Sequence, residues 1–374
     1  MIIKNGNVLL GTTQTVVQKD IRIEQGTITE ISTELSDYRE FDASGMLVIP
    51  GFIDIHIHGG VGVEFASPEE DFTKARKWLA SEGVTGFAAT VRAMTPDRIV
   101  AAERNIIREA ERDVVGASVF GINLEGPFVS KVRTGVMNPP DVECDPETVK
   151  LFAEEGKGML KIMTLAPERE NAIDAVKTAV KNGVNISLGH TDATYSESVD
   201  AINAGATRAT HVFNAMRPLS HRETGVLGAV LTDDRVNCEM ICDLVHLDEA
   251  TIKMVYRLKG AENITLISDT GFMSGLGDGE FVIDGRKRTV KDGICRNAEG
   301  RIAGSCVSML AGAKNLLKMG IPLSDISVMA SLNPAKALSV DSLTGTIEVG
   351  KQADIIVCDN ELNIKAVFVK GTRI

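Results

Sequence analysis

Apolar and polar positions alternate with two different periods along this chain. Near the start, Val8-Leu9-Leu10, Asp20-Ile-Arg-Ile23 and Thr27-Ile-Thr-Glu-Ile31 alternate every second residue and are punctuated by Gly and Asn, which predicts short strands joined by turns. The last stretch repeats the pattern in Gly345-Thr-Ile-Glu-Val-Gly350, Ala353-Asp-Ile-Ile-Val-Cys358 and Ala366-Val-Phe-Val-Lys370. Two strand-rich ends around a different middle predict that both termini meet in one small β domain. The middle alternates buried strands with amphipathic helices. Strands are expected over 47–54, 85–90, 119–124, 159–165, 185–188, 208–210, 237–242 and 264–268. Helices are expected over 71–81, 95–112, 170–182, 196–204 and 248–259. This rhythm runs for about 270 residues, the size of an eight-stranded α/β barrel. A doubly wound open sheet shares it, but no GxGxxG follows the first strand, which weakens a dinucleotide-binding reading. The fold class is therefore α/β: a (β/α)8 TIM-like barrel at 51–340, with a small β-sandwich domain formed by both chain termini, 1–50 and 341–374.

Composition changes this picture little. The 374 residues are 44% apolar and 24% charged, as in an ordinary globular protein, and the formal net charge of −11 argues against a nucleic-acid partner. The densest basic stretch, residues 284–291, is short and reads as an exposed hairpin. The six cysteines form no CxxC pair and no disulfide framework, and Cys238 and Cys242 sit in an apolar run as expected buried thiols. A reducing, cytoplasmic home fits. The first residues, Met-Ile-Ile-Lys-Asn-Gly, show no secretory apolar core, and no apolar run approaches the roughly 18 residues that span a bilayer, so no membrane partner is expected.

The chemistry collects at strand ends. In a parallel barrel the carboxyl ends of the strands converge on one face, where active sites lie. Four of the six histidines fall there. His56-Ile57-His58 closes a predicted strand, and residues two apart on a strand point the same way, so both imidazoles face the mouth together. Glu125 ends Ile122-Asn-Leu124, His190 ends Ile186-Ser-Leu-Gly189, His211 ends Arg208-Ala-Thr210 and Asp269 ends Thr265-Leu-Ile-Ser268. Each alone reads equally as a structural residue. Together His56, His58, Glu125, His190, His211 and Asp269 make an ordered donor series for a divalent metal. A cation lowers the pKa of bound water toward about 7, Asp269 can take that water's proton and pass it to a departing amine, and His246 can polarise a carbonyl. A non-catalytic scaffold would have no need of six such residues.

These residues resemble the amidohydrolase superfamily, and more narrowly the N-acetylglucosamine-6-phosphate deacetylases. The resemblance runs the length of the chain and rests on Pro50-Gly-Phe-Ile-Asp-Ile-His-Ile-His-Gly59, Leu124-Glu-Gly-Pro-Phe128, Leu188-Gly-His-Thr-Asp-Ala193, Thr210-His-Val-Phe-Asn-Ala-Met216, His221-Arg-Glu-Thr-Gly225, Ile302-Ala-Gly-Ser305, Asn333-Pro-Ala335 and Gly350-Lys-Gln-Ala-Asp354. It implies hydrolysis of the N-acetyl amide of an amino-sugar 6-phosphate, releasing acetate, with metal-bound hydroxide as nucleophile and Asp269 as general acid/base. It implies Glu125, His190 and His211 as main metal ligands, His56 and His58 as a second position, and Asp269 in addition. One or two divalent ions are implied, zinc first, with iron, manganese or cobalt as alternatives. Substrate contacts are implied at Val136, Met137, Asn214, Ala215, Arg222, His246, Ile302, Ala303 and Gly304, with Arg222 reaching across a homodimer. Three departures lie on the substrate side. Met137 stands where a histidine is usual, Leu244 where a glycine is, and Thr270 to Gly275 where the family's usual sequence differs. A thioether donates no hydrogen bond to a sugar hydroxyl, so another N-acyl amino sugar, a cyclic amide or an N-acyl amino acid is the alternative substrate.

Overall fold

The computed structural model describes residues 1–13, 15–37, 39–283 and 285–374. Eight parallel strands run round its centre: β1 (Phe52–Ile57), β2 (Val84–Arg92), β3 (Ser118–Glu125), β4 (Leu160–Leu165), β5 (Asn185–Leu188), β6 (Arg208–Ala209), β7 (Asn237–Ile241) and β8 (Ile264–Ile267). They are hydrogen-bonded in chain order. The first and last meet where Asp269 N donates to His56 O (2.9 Å) and His58 N to Thr270 O (2.7 Å). The sheet thus closes into the expected barrel, with helices outside. Helix Asn333–Ala337 covers the end opposite the strand carboxyl termini. Its Ala335 and the following Leu338 pack on Ile53, Ile55, Ala88, Ile162, Ile241 and Ile267 inside the barrel, and Asn333 Nδ2 donates to Ile264 O and Ala261 O. With that end filled, the open mouth is the face bearing the strand carboxyl ends.

Both termini contribute to a second, eight-stranded sheet. Ile2–Leu10, Thr15–Glu24, Thr27–Ser32, Glu40–Asp42 and Leu47–Pro50 come from the start, and Ile355–Cys358, Ile364–Val369 and Thr372–Arg373 from the end. Its own core holds Ile3, Val8, Ile21, Val48, Ile355, Val357 and Phe368.

Two sequence expectations are corrected here. Residues 47–54 are not one strand. Leu47–Pro50 belongs to the terminal sheet and Phe52–Ile57 to the barrel. The crossing is made at Gly51, where a Cβ would stand 2.1 Å from Thr85 Oγ1. The stretch 345–350 is not a strand but irregular backbone ending in a turn, held to the sheet by an isolated bridge from Leu10 to Ile347 and by Gly350 N donating to Ile28 O at 2.8 Å. Five α-helices among the described residues were not foreseen: Pro146–Glu155, Gly225–Thr232, Met309–Lys318, Leu323–Ser327 and Asn333–Ala337. The first carries a legible start, since Asp145 accepts from Glu147 N and Thr148 N and Pro146 opens the first turn. The expected hairpin at 284–291 is real in its described part, Gly279–Ile283 with Arg286–Lys291, and Asp284 lies outside the described residues. It is half of a four-stranded antiparallel sheet completed by Ile294–Asn297 and Ile302–Ser305, inserted after β8. Among the described residues no helix is long and apolar enough to cross a membrane. Cys238 and Cys242 are buried, and all six thiols are free.

One buried group is poorly accommodated. Glu103 lies on helix Pro96–Glu111, fully inaccessible, and neither carboxylate oxygen has a hydrogen-bond partner among the described residues. Burial, helped by nearby Glu155, pushes its carboxyl up to about 9. The folded chain then keeps a proton that the unfolded chain loses above about 4.3. Between those values stability falls as pH rises, by at most about 1.4 kcal/mol per unit. Glu103→Leu is expected to raise the denaturation midpoint, and by more at pH 8 than at pH 5. Urea titrations at the two pH values check it, and an equal gain at both would count against a neutral buried acid.

Candidate active site

The donor residues reach one point because the strand ends turn sharply there. His190, His211 and Asp269 all take left-handed backbone conformations, with φ of 46°, 27° and 51°. L-residues adopt that conformation at a cost of about 1 to 3 kcal/mol each, and here it turns each side chain from the strand into the mouth. On β1 the ladder to β2 is irregular between Asp54 and Ile57, where Ile57 N donates to Thr90 Oγ1 at 2.9 Å. The slip lets Ile53 and Ile55 pack inside the barrel while His56 and His58 also reach the mouth.

The geometry gathers all six donor candidates. His190 Nε2 lies 2.9 Å from Glu125 Oε1 and 3.1 Å from His211 Nε2, which is itself 3.1 Å from Glu125 Oε1. The other oxygen of Glu125 faces His58, and His56 shares Oε1. His58 Nε2 is 3.4 Å from Glu125 Oε2 and 3.3 Å from Asp269 Oδ1, and His56 Nε2 is 3.5 Å from Glu125 Oε1 and 3.7 Å from Asp269 Oδ1. His56, Glu125 and His211 form one triad of converging ligand atoms, and His56, His58 and Asp269 another. The residues fit a divalent cation on their own chemistry. Two facing imidazole nitrogens 3.1 Å apart need a proton or a cation near both. Among the described residues, His56 Nε2 is buried without a hydrogen-bond partner, with two carboxylate oxygens 3.5 and 3.7 Å away. Nitrogen and oxygen donors at these spacings suit an ion that binds each at about 2.0–2.2 Å.

Charge balance points the same way. Burial pushes the Glu125 carboxyl upward, but His190, His211 and His56 outweigh it and hold it well below the usual range. At Asp269 burial again raises the pKa, and the hydrogen bond from His58 with the charges of His56 and His58 bring it down to about 2. Burial lowers His56, and Glu125 and Glu239 more than reverse this. Acids held ionised among close nitrogens make a negative, desolvated socket.

The substrate-side candidates mostly share this cavity, of about 520 Å³. Val136, Met137, Asn214, Ala215, His246, Ile302, Ala303 and Gly304 line it together with His58, Glu125, His190, His211 and Asp269. Arg222 does not: it is exposed on the loop after Met216. Leu244, in a left-handed conformation (φ 64°), is half exposed and also outside the lining.

Sequence reading missed two groups that orient site residues. Glu239, inaccessible on β7, accepts from His56 Nδ1 at 3.0 Å and so aims the other ring nitrogen at the donors. Its signal was a lone acid inside an apolar strand, Asn237-Cys-Glu-Met-Ile241. Asp243 Oδ2 lies 2.8 Å from His246 Nδ1. Burial lowers that imidazole's pKa, and Asp243 reverses the shift, leaving it raised.

The profile of the amidohydrolase family matches residues 47–374. Two relatives are 33% identical to this chain. One, from Lysinibacillus sphaericus, is an N-acetylglucosamine-6-phosphate deacetylase aligned over 95% of this chain and 92% of its own. The other, from Escherichia coli O157:H7, is an N-acetylgalactosamine-6-phosphate deacetylase aligned over 94% and 93%. A mutant of the Mycobacterium smegmatis N-acetyl-D-glucosamine-6-phosphate deacetylase, solved in complex with N-acetyl-D-glucosamine-6-phosphate, superposes with a TM-score of 0.90 at 30% identity, covering 100% of this chain and 98% of that one. The likeness in sequence and in fold thus runs along nearly the whole length, and the chain is an enzyme of the amidohydrolase family.

Proposed function

We propose that this enzyme hydrolyses the N-acetyl amide of an amino-sugar 6-phosphate, N-acetylglucosamine 6-phosphate first, giving glucosamine 6-phosphate and acetate. One observation carries the reading: five of the six donor residues, His58, Glu125, His190, His211 and Asp269, line one cavity with Asn214 and His246, with His56 buried beside them, in a chain so similar to sugar-phosphate deacetylases. Glu125, His190 and His211 would hold one divalent ion, and His56, His58 and Asp269 a second beside it. Zinc fits this donor set, as do iron, manganese and cobalt. Such a cation supplies Lewis acidity and makes water a better nucleophile at neutral pH.

The chain's own residues supply the rest. Asp269, ionised and next to His58, takes a proton from the attacking water and delivers it to the amine nitrogen as the C–N bond breaks. His246, fixed and kept proton-rich by Asp243, donates to a substrate oxygen. Val136 and Met137 form an apolar wall, with Ile302 to Gly304 on the inserted sheet lining the cavity as well. We read the assembly as a homodimer in which Arg222, exposed and outside its own chain's cavity, would serve the sugar phosphate of a partner. Six free thiols suit a cytoplasmic setting.

A second sugar is favoured by a specific observation. The similarity to the N-acetylgalactosamine-6-phosphate enzyme is as high as to the glucosamine one, and Met137 offers no hydrogen bond with which to read a hydroxyl. Acetate release should be measured on both 6-phosphates, on their unphosphorylated forms and on N-acyl amino acids, with metal content determined on the same sample. Turnover of a hexosamine 6-phosphate is expected. Turnover confined to non-sugar amides would overturn the proposal.

A further inference from the structure

The inserted sheet brings two arginines to the mouth of the active cavity. Arg288, on strand Arg286–Lys291, and Arg301, before strand Ile302–Ser305, both line it with Asn214, His246 and Asp269. They are neighbours through Asn297. Arg288 pairs with Asn297 across the sheet, Asn297 N donates to Arg301 O at 2.9 Å, and Arg301 N donates to Asn297 Oδ1 at 2.9 Å. The sheet is tied to the catalytic floor, since Ser305 N donates to Asp269 O at 3.1 Å. The cavity's other arginine, Arg92, is engaged with Glu64 at 3.3 Å. Among the described residues its remaining acids, Glu125 and Asp269, belong to the donor cluster. Among the described residues neither Arg288 nor Arg301 is ion-paired, in a chain of net charge −11. Two guanidinium groups that line one cavity, without a described acid to pair either, leave charge that an anionic group on a bound molecule can neutralise while accepting their N–H donors.

We propose that Arg288 and Arg301 form an intrachain clamp for a dianionic substituent of the substrate, the phosphate of the sugar under the reading above. The clamp binds and selects; it touches no reacting atom. It gives each chain its own phosphate contact, independent of the exposed Arg222 and of any partner. The proposal rests on the function proposed for the cavity, and its test separates the two.

Acetate release from N-acetylglucosamine 6-phosphate and from N-acetylglucosamine is compared for the full-length metal-loaded enzyme and for Arg288→Ala, Arg301→Ala and the double variant. Each single change should raise KM for the phosphorylated sugar about 10-fold, and the double about 100-fold, with kcat moving far less. Preference for phosphorylated over unphosphorylated sugar should fall by the same factors. Lys287→Ala, an exposed residue paired with Glu280, is the control and should keep the preference. Arg288→Lys should recover part of it, which a purely structural role would not require. An unchanged preference in the double variant, or a preference lost entirely through Arg222→Ala alone, overturns the clamp. If the double variant fails to fold, Arg301→Gln, in the exposed turn, reads the same ratio. If the wild type releases acetate from neither sugar, the deacetylase reading fails and the clamp is judged by calorimetry with inorganic phosphate: binding lost in the double variant supports it, and equal or no binding overturns it.

Discussion

Glu125→Gln is expected to strip the enzyme of metal and to lower kcat by about 10³-fold or more. The two oxygens of Glu125 face both groups of nitrogens, Oε1 toward His190 and His211 and Oε2 toward His58. An amide keeps the shape but loses the charge, and its NH2 end presents donors where acceptors are needed. Four histidines would then crowd a buried site with Asp269 as its remaining carboxylate. A cation held by neutral imidazoles and one acid binds less tightly than one held by a carboxylate that serves both positions. The Lewis acidity lost with the ion amounts to several kcal/mol of transition-state stabilisation, and each 1.36 kcal/mol is about a factor of ten in rate. Elemental analysis beside steady-state kinetics checks the result. Full metal content with near wild-type kcat would remove Glu125 from the centre of the site.

Asp269→Asn should separate proton transfer from metal retention. The triangle of Glu125, His190 and His211 does not include Asp269, so at least one ion per chain should remain. kcat should fall by about 10² to 10⁴-fold, the range ascribed to a positioned acid/base, with KM changed only a few-fold. An amide can neither accept the water's proton nor return it to the leaving amine. The left-handed backbone of Asp269 is tolerated well by Asn, so a folding defect is not the expected outcome. A variant that keeps its metal and stays within ten-fold of wild-type kcat would show that another group carries the proton.

Much of this was legible along the chain, and the reasons are local. Strand periodicity depends on neighbours two residues apart and helix periodicity on neighbours three and four apart, so the βα rhythm of residues 85–268 survives without tertiary information. The donor series is legible because a parallel barrel gathers its strand carboxyl ends on one face. Reading His190, His211 and Asp269 as strand-end residues therefore brings them together before any contact is known. The failures are equally local. Gly51 sits inside an apolar run and leaves its period intact, yet the chain changes sheets there because only a residue without a Cβ fits against Thr85. The run 345–350 has strand composition but pairs through an isolated bridge.

By itself the sequence determined the fold class, the contribution of both ends to one sheet, and the identity of the residues that approach the mouth, since each follows from short-range pattern and from strand direction. The tertiary structure decided which of those residues share an atom-scale site, and what surrounds them. Glu239 meets His56 across 183 residues because the barrel closes between β8 and β1. Arg288 and Arg301 become neighbours because a four-stranded sheet folds over the same mouth. Contacts between distant segments depend on closure and register, and neither leaves a periodic trace in the residues that make them.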